Sequence, residues 1–117
     1  PYAFSRVCTS ELAELRDRPD LLAAAEFLAI SCDPMFTLRA YAEAQRLEFG
    51  LLTDFWPHGA IASAYGVFDA ERGCAVRGTF VVDRAGLIRW SVVNPMPEAR
   101  NPDDYAEALA SLGADLR

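Results

Sequence analysis

Apolar positions recur at helical spacing in some stretches of this chain and at strand spacing in others. Residues 9–16 read as an amphipathic helix with Leu12 and Leu15 on one face. Ser5 suits the N-cap, because its side-chain oxygen can accept an unpaired backbone N–H of the first turn. Asp17-Arg18-Pro19-Asp20 breaks the pattern, and residues 21–26 read as a short helical continuation or a connection. The apolar run at 27–31 has the character of a strand buried on both faces. A second long helix is expected over 35–47, with Pro34 near its first turn. Residues 50–54 make a brief extended piece, and 61–65 a short helix closed by Gly66.

Val67-Phe68-Asp69 reads as a short strand, followed by a turn over 70–73. Residues 76–82 and 87–93 form the clearest hairpin, joined at Asp83-Arg84-Ala85-Gly86. A loop over 95–102 leads to a last helix headed by Asp103 and Asp104. Tyr105, Ala106, Leu109 and Leu112 fall at helical spacing in it, and it ends near Gly113. Helices alternating with short strands indicate an α/β layer fold. The chain shows neither an internal repeat nor a low-complexity tract.

Composition narrows the class. At 117 residues the chain is long enough for one core, and 52% hydrophobic against 24% charged residues is a globular balance. The net charge of −6 argues against a nucleic-acid partner, which would need a clustered basic stripe. No apolar run approaches a membrane span, and no basic region followed by an apolar stretch marks a secretory signal. Three cysteines at wide spacing are no disulfide framework and suit a reducing compartment, so the expected location is the cytoplasm. With one histidine and no ligand spacing among the cysteines, no metal site is indicated, and no glycine-rich phosphate loop is present.

Chemistry concentrates at Cys8. With Ser5 as N-cap, Cys8 is the third helical residue, where free N–H groups and the helix dipole favour an anion. A thiol placed there ionises more readily, and the thiolate is the reactive form. From the residues alone, a reactive thiol and a buried structural cysteine both remain open.

Pro1-Tyr2-Ala3-Phe4-Ser5-Arg6-Val7-Cys8 matches Pro-x-x-x-(Thr/Ser)-x-x-Cys, the active-site signature of the peroxiredoxins. Four further segments resemble that family in the same order. They are Leu28-Ala29-Ile30-Ser31-Cys32-Asp33, Leu51-Leu52-Thr53-Asp54-Phe55, Ala64-Tyr65-Gly66-Val67, and the stretch from Arg77-Gly78-Thr79-Phe80-Val81-Val82-Asp83 to Gly86. Asp54-Phe55-Trp56-Pro57-His58-Gly59 and Arg77-Gly78-Thr79-Phe80 particularly resemble the alkyl hydroperoxide reductase E type one-cysteine peroxiredoxins of actinobacteria.

The resemblance implies a thioredoxin-like fold and a thiol peroxidase acting on hydrogen peroxide, organic hydroperoxides or peroxynitrite, without a cofactor. Cys8 would attack the peroxide and pass through a sulfenic acid. Ser5 would bond the sulfur and the peroxide oxygen, Arg77 would stabilise the thiolate and the leaving oxygen, and Pro1 would wall the pocket from water. Glu11 would hold the arginines. The Cys-x-x-x-x-Cys of one peroxiredoxin branch is absent, position 13 being alanine. Cys32 is the candidate resolving cysteine. A one-cysteine cycle is favoured over it, with an external low-molecular-weight thiol, a glutaredoxin-like protein or thioredoxin as reductant. A homodimer is expected, with Phe55 and Trp56 at the contact and His58 a loop or interface residue.

The family ordinarily has several strands before the active-site loop, one running directly into the proline. The chain is therefore read as a single thioredoxin-like domain over 1–117 without those strands, its sheet edges and one apolar face uncovered. It is either a portion of a longer polypeptide, the favoured reading, or a chain completed by another. Two rival functions remain: a redox-sensing or chaperone-like binding module, and a tautomerase using Pro1 as an N-terminal base.

Overall fold

Helix α1 (Arg6–Arg16) starts directly after Ser5, whose extended backbone (φ −71°, ψ 150°) places it at the N-cap. The expected capping bond is not made. Ser5 Oγ donates to the Tyr2 carbonyl at 3.0 Å, because the tight turn before the helix presents that acceptor first. The backbone closes the first turn instead, Thr9 N–H donating to the Ser5 carbonyl at 2.9 Å. The computed structural model describes residues 1–113, so the last four residues of the expected domain lie outside the described residues.

A short helix α2 (Pro19–Ala24) follows, then strand β1 (Leu28–Ser31), helix α3 (Met35–Gln45) and strand β2 (Gly50–Thr53). Pro34 is the N-cap of α3, one position outside the helix. Strands β1 and β2 pair in parallel, Leu28 opposite Gly50 and Ser31 opposite Thr53. Helix α4 (Ala60–Ala64) is anchored by buried Asp54, which accepts the Ile61 and Ala62 N–H groups at 2.9 Å each. Gly59 precedes α4 at φ 74°, with the Phe68 ring directly over its Cα.

Strands β3 (Phe68–Asp69) and β4 (Cys74–Ala75) form a small antiparallel ribbon around the expected turn. Strand β4 escapes the pattern analysis because two residues cannot show alternation. The hairpin of β5 (Arg77–Val82) and β6 (Ile88–Asn94) has the expected turn, with Gly86 at φ 83°. Helix α5 (Pro102–Leu112) is capped by Asn101, whose side chain accepts the Asp103 N–H at 3.0 Å. Leu15, Leu21, Tyr105 and Leu109 form a buried cluster that joins α1, α2 and α5 and covers Val81 and Trp90 of the hairpin.

A further expectation fails. β1 is not buried on both faces: Leu28 and Ile30 remain 54% and 39% exposed. The cause is topological. Among the described residues β1 pairs only with β2, and β5 only with β6, so the chain holds three two-stranded sheets. Between β1 and β5 lies a cavity of about 530 Å³, lined by β1, β5 and the inner face of α1. This matches the uncovered edges and apolar face expected from the sequence.

Candidate active site

Cys8 occupies the third residue of α1 and is 7% exposed. The chain reaches it through a loop under strain: Phe4 adopts φ 65°, a left-handed conformation costly for a residue with a Cβ. Contacts on both sides hold that turn. The Phe4 ring packs edge-on against Tyr41 of α3 at 4.9 Å, and the Ala3 N–H donates to Asp33 Oδ2 at 2.8 Å. Ser31 donates to the same Asp33 oxygen at 2.7 Å, tying the Cys8 loop to the end of β1. On the helix itself, the Tyr41 hydroxyl donates to Thr9 Oγ1 at 3.0 Å.

Arg77, the first residue of β5, reaches across to α1. Its Nη1 donates to Cys8 Sγ at 3.4 Å and also to Glu11 Oε1, while its Nε donates to the Met96 carbonyl. Arg77 is 3% exposed and Glu11 likewise. Such burial of two charged side chains is tolerable only because each is paired. Cys8 and Glu11, three residues apart, share one face of α1, so a single guanidinium can serve both.

The other Glu11 oxygen belongs to Arg100. Oε2 accepts both the Arg100 backbone N–H and Nη1 at 2.8 Å. Arg100 Nη2 donates to the Gly78 carbonyl at 2.9 Å, and its Nε to Thr79 Oγ1 at 2.6 Å. Two guanidiniums around one carboxylate leave one positive charge over. A thiolate at Cys8 neutralises it.

Several influences meet at the sulfur. Burial is the largest and pushes the Cys8 thiol up. The Ser5 hydroxyl, the Tyr2 backbone and the Arg77 guanidinium pull the other way, and the thiol ionises below the ordinary range. Cys32 behaves oppositely. Burial first, and then the charges of Asp54 and Cys74, push its thiol up.

The structure thus brings Cys8, Glu11 and Arg77 together. Ser5 stands one helical turn before the sulfur, and Pro1 lines the cavity that Cys8 also lines. Cys32 lines that cavity too, buried at 6% exposure, while Cys74 is fully buried. His58 is held elsewhere, its two ring nitrogens 3.3 Å from the Phe55 carbonyl and 2.6 Å from the Gly73 carbonyl. The sequence alone assigns no role to Arg100, Thr79 or Asp33. Asp33 was within reach, since it closes the Ile30-Ser31-Cys32-Asp33 motif. Arg100 lies in a loop without periodicity and gave no such signal.

No helix among the described residues is long and apolar enough to cross a membrane. In comparisons with known proteins, residues 1–91 match the AhpC/TSA family. The alkyl hydroperoxide reductase E of Mycobacterium tuberculosis is 46% identical over 97% of this chain and 76% of its own length. A probable peroxiredoxin of Caenorhabditis elegans is 33% identical over 96% of this chain, which spans 53% of that protein. Among solved structures, AhpC of Enterococcus faecalis superposes with a TM-score of 0.87 at 29% identity, covering 95% of this chain and 69% of that one. The peroxidoxin BcpB of Mycobacterium tuberculosis superposes with a TM-score of 0.78 at 30% identity, over 97% of this chain and 74% of that one. The fold is thioredoxin-like, and the chain belongs to the AhpC/TSA family of peroxiredoxins.

Proposed function

We infer that this chain is a thiol-dependent peroxidase in which the Cys8 thiolate reduces hydrogen peroxide, organic hydroperoxides or peroxynitrite. The observation that carries this reading is the 3.4 Å contact between Arg77 Nη1 and Cys8 Sγ, at the mouth of a helix. The sulfur attacks one peroxide oxygen, forming an S–O bond as the O–O bond breaks. Hydroxide or alkoxide departs and takes up a proton, or nitrite departs when the substrate is peroxynitrite, and Cys8 is left as a sulfenic acid.

The residues divide that work. Arg77 keeps the sulfur ionised and donates to the oxygen on which charge develops. Ser5 orients sulfur and peroxide through its hydroxyl, more loosely than a threonine would, because it lacks the stiffening methyl. Pro1 shields the pocket from water, and Glu11 fixes the arginines. Two external thiol equivalents then return the sulfenic acid to thiol, releasing water and a disulfide. The reductant is a low-molecular-weight thiol, a glutaredoxin-like protein or thioredoxin. Cys32, the other candidate for resolution, is buried and ionises reluctantly, which favours the external route.

The working unit is one thioredoxin-like domain, cytoplasmic and homodimeric. The dimer reading is supported by Phe55 and Trp56, 49% and 84% exposed side by side after β2. The test mixes reduced protein with limiting peroxide and follows tryptophan fluorescence. A rapid change lost in Cys8→Ser is expected. An unchanged trace in that variant would remove Cys8 from the chemistry.

A further inference from the structure

Resting on the reading of Cys8 as attacking sulfur, we propose that Thr79 and Tyr105 are positioning residues, a pair of hydroxyls that sets Arg100 and through it the arginine at the sulfur. Thr79 lies two residues after Arg77 on β5, and residues so spaced point to the same side of a strand. Its Oγ1 accepts Arg100 Nε–H at 2.6 Å and stands 3.3 Å from the Tyr105 hydroxyl.

The hydrogen-bond inventory makes the arrangement directional. A guanidinium only donates, so the Thr79 oxygen must turn a lone pair toward Arg100. The Tyr105 hydroxyl, on a side chain 4% exposed, constrains the remaining sites of that oxygen. Arg100 is planar and is pinned at three separate points, by Thr79, the Gly78 carbonyl and Glu11. The Glu11 carboxylate is planar too, so holding Oε2 on Arg100 fixes the direction in which Oε1 meets Arg77. Arg77 Nη1 spans Glu11 and the Cys8 sulfur. The bonds therefore run unbroken from Tyr105 on α5 to Cys8 on α1.

Tyr105 reaches this chain from the buried cluster it shares with Leu15, Leu21 and Leu109, and its ring meets Trp90 edge-on at 6.1 Å. Helix α5 is thereby connected to the thiol through a single oxygen atom. The connection can be cut without touching the core: Tyr105→Phe removes the oxygen and keeps the ring. Thr79→Val removes the other hydroxyl at nearly constant shape.

The experiment measures alkylation of Cys8 by iodoacetamide against pH in the full chain, mapped to Cys8 by peptide mass, with circular dichroism to confirm folding. Thr79→Val should move Cys8 ionisation to higher pH and slow alkylation at neutral pH by about three- to tenfold. Tyr105→Phe should shift it less, in the same direction, and Thr79→Ser should restore the parent profile. Folded Thr79→Val and Tyr105→Phe proteins with parent profiles, or a Thr79→Ser profile that follows valine, would overturn the proposal. Arg77→Ala separates the two levels. If it shifts the profile and Thr79→Val does not, only the hydroxyl pair falls; if Arg77→Ala shifts nothing, the reading of the site falls and takes the pair with it.

Discussion

Arg77 donates Nη1–H to the Cys8 sulfur across 3.4 Å and 69 positions of sequence, joining the start of a strand to the start of a helix. The contact has consequences for pH. A thiol held below its ordinary range becomes thiolate earlier as pH rises, so peroxide reduction should reach its plateau below the pH at which a free cysteine ionises. Arg77→Ala removes a donor and a charge together. The plateau should move to higher pH, and the rate at neutral pH should fall by roughly three powers of ten, the larger part from the lost donor to the leaving oxygen. Stopped-flow fluorescence gives the rate and the ultraviolet absorbance of the thiolate gives the titration. An unaltered titration would show that the guanidinium does not set the sulfur's charge.

Glu11 poses a stability problem rather than a rate problem. Its two oxygens separate the buried Arg77 from the half-buried Arg100, and removing the charge leaves the two guanidiniums with only the Cys8 thiolate to balance them. Glu11→Gln should therefore cost about 3–5 kcal/mol of folding free energy, the range for breaking a buried ion pair from one side. Urea unfolding measures it. Removing Arg100 in the same protein should cost less than the sum of the two single changes, since the second substitution takes away a cation the first had stranded. Simple additivity would show that the three charges are not coupled.

What could be read in advance follows from how local each feature is. Helix α1 and the β5–β6 hairpin were legible because apolar period and turn residues reside within a dozen positions. Cys8 was legible as a helix-mouth thiol for the same reason, but its partner was not: Arg77 looks like any strand arginine until the family motif assigns it. Arg100 and Thr79 stayed hidden because their roles exist only once the loop after β6 folds back onto α1, 89 residues away. The exposure of Leu28 and Ile30 was misjudged because an apolar run reports a preference for burial, not the presence of something to bury it.

Ser5 allows helix capping and site chemistry to be separated. Because its hydroxyl donates to the Tyr2 carbonyl and caps no helix N–H, Ser5→Ala should cost less than the ~1 kcal/mol of a lost N-cap. Turned from the Tyr2 carbonyl to the sulfur, the same hydroxyl proton holds the Cys8 thiol down, so its loss should raise the pH at which the sulfur ionises and slow the reaction. Ser5→Thr should keep the hydroxyl and hold it more firmly. A large loss of thermal stability in Ser5→Ala with an unmoved thiol titration would reverse this assignment.

Gly59 tests how tightly the segment after β2 is held. A methyl group there would stand 2.2 Å from the Phe68 ring, on a backbone already at φ 74°. Strain of ~1–3 kcal/mol from the left-handed conformation would add to a clash the ring can relieve only by leaving its place beside His58. Gly59→Ala should lower the urea midpoint markedly, while Gly66→Ala, at the same φ with open space around it, should lower it less. Equal losses at the two glycines would mean that backbone conformation alone, and not the ring, sets the cost.

The fate of the oxidised sulfur distinguishes an external from an internal reductant. Cys8 has the low thiol and the guanidinium, while Cys32 is buried with its thiol pushed up by burial and by Asp54. A thiol that seldom ionises attacks a sulfenic acid slowly. One equivalent of peroxide should therefore add a single oxygen to the protein, located on Cys8 by peptide mass, and the product should persist until an external thiol is supplied. Cys32→Ser should leave that mass change and its rate of appearance untouched. A loss of two hydrogens instead, abolished by the same substitution, would mean that the chain opens far enough for Cys32 to reach the sulfenic acid, and the external route would fall.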